Sequence, residues 1–381
     1  MGRDEVLKTF EGVVSDPLGS IKEYKEKEKK PVVGYFCTYT PEEMIHAAGA
    51  IPFRIIGENK AVERADGHLQ SYSCSLIRTG LDLALLGKLD FVDGTVFPHT
   101  CDSIQRLSDI WKVNAKIDYH ADVVLPVKLN TESAKKYLIE ELGAFRKSLD
   151  EHFSTTVSDK KLRESIKVYN EMRDNLSRLY RIKNEAPKSI TARDVNNCVK
   201  AAMYMPVEEH NRLMAELLAD LDKGAKDEDA PRVIFSGNLC VFPEILDFVE
   251  KAGAYVVGDD MCTGYRYFVT NVDEKKGDDL GPIEAIADRI IKRPICAAKH
   301  NPDFDRGEFL KSLAREVKAE GVVFLFLKFC DPHSFDYPRL MKSLDEVKIP
   351  HILIETEMDN PALGQLRTRI EAFVEMIRDN R

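Results

Sequence analysis

Residues 32–54 read VVGYFCTYTPEEMIHAAGAIPFR. The apolar, β-branched opening (Val32, Val33, Tyr35, Phe36) is a strand pattern that stops at Cys37. A Thr/Tyr/Thr turn follows, and Pro41-Glu42-Glu43 then marks a helix start. Proline lacks only an N–H that would be unpaired there, and carboxylates suit the positive end of a helix. Met44, Ile45 and Ala48 carry the helix to Gly49, and Ile51–Ile56 reads as a second strand. The unit is βαβ, with a cysteine at the carboxyl end of its first strand, where open α/β sheets present ligands.

The pattern returns 200 residues later in RVIFSGNLCVFPEILDFVEKAGAYVVGDD, residues 232–260, with Cys240 in the place of Cys37. DFVDGTVFPHTC (90–101) and EGVVFLFLKFC (320–330) are likewise buried-type strands, each running into Cys-Asp. The expected fold class is therefore α/β: two Rossmann-like or flavodoxin-like parallel-sheet domains related by internal duplication. Matched cysteines at strand ends point to a cysteine-ligated site in the cleft between the halves. The alternative is two ordinary units with incidental cysteines.

Outward from these units the chain divides into four. Residues 1–30 read as a helical segment ending in the charged run IKEYKEKEKK, and 31–130 as the first α/β domain, closed by a strand over Asp122–Pro126. Residues 131–225 carry three long helical patterns without strand signal. In one of them Leu162, Ile166, Tyr169, Met172, Leu176 and Leu179 form a stripe at spacings of three and four, a packing face. Thr191 to Asp194 has the form of a capping box opening the third helix. The charged stretch Asp222–Pro231 reads as a linker into the second α/β domain, 226–381, with a helix over Phe309–Lys318, a final strand at His351–Ile354 and a long helix from Asn360.

The 381 residues suffice for two or three domains, and 44% hydrophobic with 31% charged residues is a soluble globular composition. A net charge of −9 argues against nucleic acid as a partner, since phosphate recognition needs a basic face. No apolar run approaches the roughly 18 residues of a membrane helix, and MGRDEVLKTF has no signal-type apolar core, with Val6 breaking the myristoylation pattern. A cytoplasmic location is expected. Neither GxxxxGK[ST] nor GxGxxG occurs, which disfavours ATP hydrolysis and classical dinucleotide binding by this chain.

Eight cysteines in a chain of this kind are unlike a disulfide framework, because the cytosol keeps thiols reduced. None forms a CxxC pair, so zinc-ribbon and ferredoxin spacings are absent. Placement carries the signal instead. Cys37, Cys74, Cys101, Cys240, Cys262, Cys296 and Cys330 fall at strand ends or loop-to-helix junctions, whereas Cys198 lies mid-helix and reads as a small buried hydrophobe. Cys74 and Cys296 correspond in order, while Cys262 has no counterpart in the first half. A Cys-His hydrolase using Cys101 and His99 would leave five similarly placed thiols unexplained. Several thiolates converging on one cleft suit an iron–sulfur cluster.

CTYTPEEMIHAAGAIPFRI, FPHTCDSIQRLSDIW, DDMCTGYRYF and the Cys330 strand together resemble the 2-hydroxyacyl-CoA dehydratase / benzoyl-CoA reductase superfamily (D-component), over nearly the whole chain. The resemblance implies a [4Fe-4S] cluster on Cys74, Cys101 and Cys330, with the fourth iron position open to substrate or water. It also implies a separate homodimeric iron–sulfur ATPase activator that delivers low-potential electrons. The surplus thiols resemble the double-cubane branch, whose [8Fe-9S] cluster is held by six cysteines of a single polypeptide. The six expected here are Cys37, Cys74, Cys101, Cys240, Cys330 and one of Cys296 or Cys262. That reading implies a low-potential reductase of small substrates, working as a homodimer. A 2-hydroxyacyl-CoA dehydratase or benzoyl-CoA reductase subunit in a heterodimer, acting on an acyl-CoA, is the second reading, and a non-catalytic electron carrier the third. Thr38, Glu42 and His99 are the candidate proton handlers near the cleft. Against this, Glu42 could serve only its helix end, and His99 could be a loop histidine satisfied by its neighbours.

Overall fold

The computed structural model describes residues 1–221, 229–358 and 362–381. Most of the expected linker Asp222–Pro231, the 225/226 boundary and the expected helix start at Asn360 lie outside these. Eight strands form two sheets: β1 (Val32–Tyr35), β2 (Ile51–Arg54), β3 (Gly94–Pro98) and β4 (Tyr119–Val123) in the first, β5 (Arg232–Gly237), β6 (Tyr255–Asp260), β7 (Gly321–Leu327) and β8 (His351–Thr356) in the second. The orders are β2-β1-β3-β4 and β6-β5-β7-β8, and every pairing is parallel. β1, β2, β3 and β7 are buried along their whole length, as strands covered by helices on both faces must be. The protein is thus α/β, with two parallel-sheet halves of identical strand order.

Register fixes how the halves correspond. Val33 lies opposite Gly94 in the first sheet and Val233 opposite Gly321 in the second. Residue 233 therefore matches 33, and the counterpart of Cys37 is Gly237. A Cβ at Gly237 would stand 1.9 Å from the Leu325 carbonyl oxygen, so no side chain fits there. Cys240 sits three residues further on.

Between the halves stand helices Glu132–His152, Asp159–Glu185, Ala192–Ala201 and Val207–Leu221. Thr131, Ser158 and Thr191 cap the first three by accepting from the backbone N–H three residues on, which satisfies donors the helix cannot. The third sequence pattern is divided in two because Pro206 cannot continue a helix. The N-terminal segment is also two helices, Arg3–Ser15 and Pro17–Glu28, broken where Asp16 accepts from the Gly19 N–H and Pro17 opens the second. β4 starts at Tyr119 and ends at Val123, because its backbone pairs with β3 from Gly94 opposite Tyr119 to Pro98 opposite Val123. The expected strand Asp122–Pro126 is corrected accordingly, and β2 ends at Arg54, two residues early. The helix expected at Phe309 begins at Arg306, where Asp305 caps it.

Helix Asp159–Glu185 buries its apolar stripe and also ties the halves together. Arg173 pairs with Glu43 at the head of helix Glu42–Ala47, with each side chain 1% exposed. Asn170 donates to the Val272 carbonyl at 2.8 Å and accepts from its N–H at 2.9 Å. Breaking a buried pair strands a charge, which costs about 3–5 kcal/mol, whereas replacing both partners by apolar groups is often near neutral. Arg173→Met is expected to lower unfolding stability by about 3–5 kcal/mol in urea titrations, and Arg173→Met/Glu43→Met to recover most of the loss. Equal loss in both variants would contradict the pairing.

Candidate metal centre

Each sheet delivers cysteines to the cleft from its carboxyl edge. Cys37 follows β1 in the turn before helix Glu42–Ala47. Cys74, Cys101 and Cys330 are the N-cap residues of helices Ser75–Leu85, Asp102–Asn114 and Asp331–Glu346. Cys262 follows β6, its N–H donating to the Asn238 carbonyl at 2.9 Å. Cys296 lies in the loop after helix Pro282–Lys292, and its N–H donates to the Tyr39 hydroxyl at 3.1 Å.

Six of these thiols feel one another. Burial raises the pKa of Cys101, and Cys74, Cys37 and Cys330 raise it further. Burial lifts Cys74 to about 12, with Cys330 the next cause. Cys330 is raised by burial and by Cys262. Cys262 and Cys296 influence each other in opposite senses: Cys296 lowers the Cys262 pKa, Cys262 raises that of Cys296, and Cys37 raises Cys296 further. These pairwise influences link Cys37, Cys101, Cys74, Cys330, Cys262 and Cys296 into one group, called the ring below. The ring takes Cys37, Cys74 and Cys101 from the first half and Cys262, Cys296 and Cys330 from the second.

Cys240 lies elsewhere. Its Sγ donates to the Phe242 carbonyl at 3.6 Å, and the charged groups acting on it are Lys200, Asp259, Glu244 and Arg193. The three-residue offset from the Cys37 position accounts for this. Cys198 is fully buried in helix Ala192–Ala201.

Buried cations surround the ring. Arg293 donates to the Thr38 carbonyl at 2.6 Å and to Thr38 Oγ1 at 3.3 Å, and lies 4.5 Å from the Tyr39 ring centroid. Lys299 donates to the carbonyls of His99 at 2.9 Å and Leu125 at 3.2 Å. Neither has a carboxylate partner among the described residues. Arg266, 3.1 Å from Asp260, acts on Cys262 and Cys296. An unpaired buried cation is costly, so this pocket suits a group of net negative charge. Among the described residues no group of three or more His, Cys, Asp or Glu side chains is set to hold one metal ion. Six buried or half-buried free thiols drawn from both halves are the kind of donor that holds an iron–sulfur cluster. A cavity of about 730 Å³ opens beside the ring, lined by Asp102, Ile295, Ala297 and Asp331, the chain neighbours of Cys101, Cys296 and Cys330.

The proposed proton handlers are placed differently from one another. Thr38 is held by Arg293 beside Cys37. His99 Nε2 is 2.9 Å from Asp122, the pairing of a satisfied histidine. Glu42 is 4% exposed and accepts from Tyr35 at 2.6 Å and Tyr267 at 3.0 Å, so it joins the two halves; burial pushes its pKa up to about 7. Sequence reasoning missed Arg266, Arg293, Lys299, Asn238 and His333, whose Nδ1 is 3.3 Å from Cys330 Sγ. The available signal was basic residues three or four positions from Cys262 and Cys296, in MCTGYR and RPICAAK.

Fold and site together define an α/β protein in which two like halves close on a ring of thiols. The chain belongs to the family described as 2-hydroxyglutaryl-CoA dehydratase, D-component, which matches residues 37–377. It is 31% identical to one of the subunits of benzoyl-CoA reductase from Thauera aromatica, over 99% of both chains. It is 28% identical to the (R)-phenyllactyl-CoA dehydratase beta subunit of Clostridium sporogenes, over 98% of this chain and 99% of that one. The beta subunit of (R)-2-hydroxyglutaryl-CoA dehydratase from Acidaminococcus fermentans is also 28% identical, over 99% of this chain and 100% of its own. Among the described residues no helix is long and apolar enough to cross a membrane.

The raised Glu42 pKa has a signed consequence. Between the ordinary 4.5 and about 7 the folded state keeps a proton that the unfolded chain releases. Stability is therefore fully present below pH 4.5 and falls as pH rises through 7, by on the order of 3 kcal/mol. Urea unfolding at pH 5 and pH 7.5 should show this loss in the wild type and not in Glu42→Gln, which keeps the acceptor oxygen. Parallel pH profiles would exclude Glu42 as the source.

Proposed function

We propose that the chain is an iron–sulfur component of a dehydratase or reductase of this family, and specifically a low-potential reductase. The ring of six thiols carries this reading. Cys37, Cys74, Cys101, Cys262, Cys296 and Cys330 are assigned as ligands of a double-cubane [8Fe-9S] cluster, with Cys240 left out. When bound, such a cluster supplies electrons one at a time at low potential. The chain's own residues do the rest. First-turn amides of helices Ser75–Leu85 and Asp102–Asn114 favour the thiolates of Cys74 and Cys101, offsetting part of the cost of burial. Arg266, Arg293 and Lys299 balance the negative charge, and the Asn238 side chain favours the Cys330 thiolate. Thr38 and Glu42 are assigned to proton handling, with Glu42 near neutrality through burial.

On this reading ATP hydrolysis belongs to a separate activator, a homodimeric iron–sulfur ATPase, which agrees with the missing phosphate loop, and the chain works as a cytoplasmic homodimer on a small molecule. A second reading keeps one [4Fe-4S] cluster on Cys74, Cys101 and Cys330 within a heterodimer that acts on an acyl-CoA. It is favoured by their common N-cap placement and by the relatives' names, which are those of subunits. Anaerobic iron analysis separates the two. About eight irons per chain, reduced in Cys262→Ser and Cys296→Ser and retained in Cys240→Ser and Cys198→Ser, is the expected result. About four irons, insensitive to Cys262→Ser, would transfer the assignment to the second reading, and an iron-free protein would sink both.

A further inference from the structure

On another face of the cleft a cavity of about 330 Å³ opens to solvent between the turn Val14–Leu18 and the segment that follows β2. This is within the lower range for small-molecule pockets. Much of its wall is apolar: Phe53, Ile55, Ile56, Leu83, Val241 and Met358. Three basic residues also line it: Lys60, which pairs with Glu58, and Arg54 and Lys200, which are 2% and 7% exposed.

Among the described residues neither Arg54 nor Lys200 has a carboxylate in contact. Arg54 Nη1 touches only the Met203 sulfur, at 3.3 Å, and Arg54 Nε has no hydrogen-bond partner among the described residues. Lys200 Nζ donates to the Cys240 carbonyl at 2.5 Å, with no carboxylate in contact among the described residues. The two carboxylates on the cavity wall are engaged elsewhere. Glu58 pairs with Lys88 at 2.6 Å and Lys60 at 3.2 Å, while Asp16 caps its helix through the Gly19 N–H at 3.0 Å. Two buried basic groups at one cavity with no carboxylate in contact among the described residues form a costly arrangement, which an entering anion would relieve.

We propose that this cavity binds a small carboxylic acid, its carboxylate bridging Arg54 and Lys200 and its short hydrocarbon body lying on the apolar wall. A guanidinium presents a fork that matches a carboxylate, and the ammonium adds a point charge. Phosphate satisfies the charge and leaves the apolar wall empty, so the acid is the occupant that uses the whole cavity. Arg54 also acts on Cys262, so this guanidinium is felt both at the cavity and at the thiols. As a substrate site the cavity rests on the iron–sulfur reading; as an anion site it does not, and binding alone tests it.

The purified full-length chain, handled anaerobically, is titrated calorimetrically with acetate, propionate, benzoate and inorganic phosphate, and its melting temperature is followed with each. Propionate or benzoate is expected to bind one per chain, more tightly than acetate and phosphate, and to raise the melting temperature. Arg54→Met and Lys200→Met should each weaken that binding at least about tenfold, while Arg54→Lys retains more of it than Arg54→Met. Ligand-free Arg54→Met should melt no lower than wild type, because an unpaired buried charge is removed. The proposal is overturned if no acid binds, if phosphate binds as tightly as the best acid, or if the Met variants bind like wild type. Iron content plays no part in the readout, so failure here leaves the cluster assignment standing, and the reverse.

Discussion

The arrangement depends on positive charge buried at the seam between two sheets. Arg293 reaches from the second half to the Thr38 carbonyl and the face of Tyr39, while Tyr39 in turn receives the N–H of Cys296. Lys299 crosses in the same direction to the carbonyls of His99 and Leu125. Carbonyl oxygens orient these cations without neutralising them. Burial and mutual proximity keep Cys74, Cys101, Cys296 and Cys330 protonated, so full neutralisation calls for an anionic group held where both halves bring their thiols together. The contacts that close the cleft and the charge that suits a metal core are therefore the same contacts.

The two groups at the seam differ in what they demand of the fold. Glu42, held by Tyr35 and Tyr267, shares its carboxylate across the halves and is most easily buried as the neutral acid. Glu43, its neighbour, has its pKa lowered by Arg173 and Arg289 against the pull of burial, so it enters the interior as an ion. Adjacent residues on one short helix thus have pKa values shifted in opposite directions. The difference comes from whether a phenol or a guanidinium faces each.

Strands, their parallel pairing and the duplicated order were legible because buried apolar runs, a helix-opening Pro-Glu-Glu and terminal glycines leave few alternatives. The seven strand-end and loop cysteines were legible as candidates by position. Which of them meet was not. Cys37 and Cys240 look equivalent when motifs are matched by eye, since each follows an apolar run and precedes a proline. Sheet register is a long-range property, and it matches Cys37 with Gly237 instead. The break at Pro206 was readable but outweighed by helical periodicity on either side. Arg54 and Lys200 carried no signal, because in sequence a lone basic residue next to apolar ones resembles a strand or helix end.

Register also explains why the halves contribute different loops. At the Cys37 position the second half has Gly237, where β5 runs so close to Leu325 that even a Cβ collides. The close approach that packs β5 against β7 removes the thiol from that corner. The second half fills the corresponding place in the ring from Cys262, after β6, whose backbone is pinned to Asn238. Only Cys101 and Cys330 hold like positions, each the N-cap of the helix that follows the third strand in its half's chain order. A duplicated scaffold with one tightened strand pair can still present three thiols per half, provided the substitute comes from a loop already anchored. Symmetry of the fold and asymmetry of the site follow from that one steric contact.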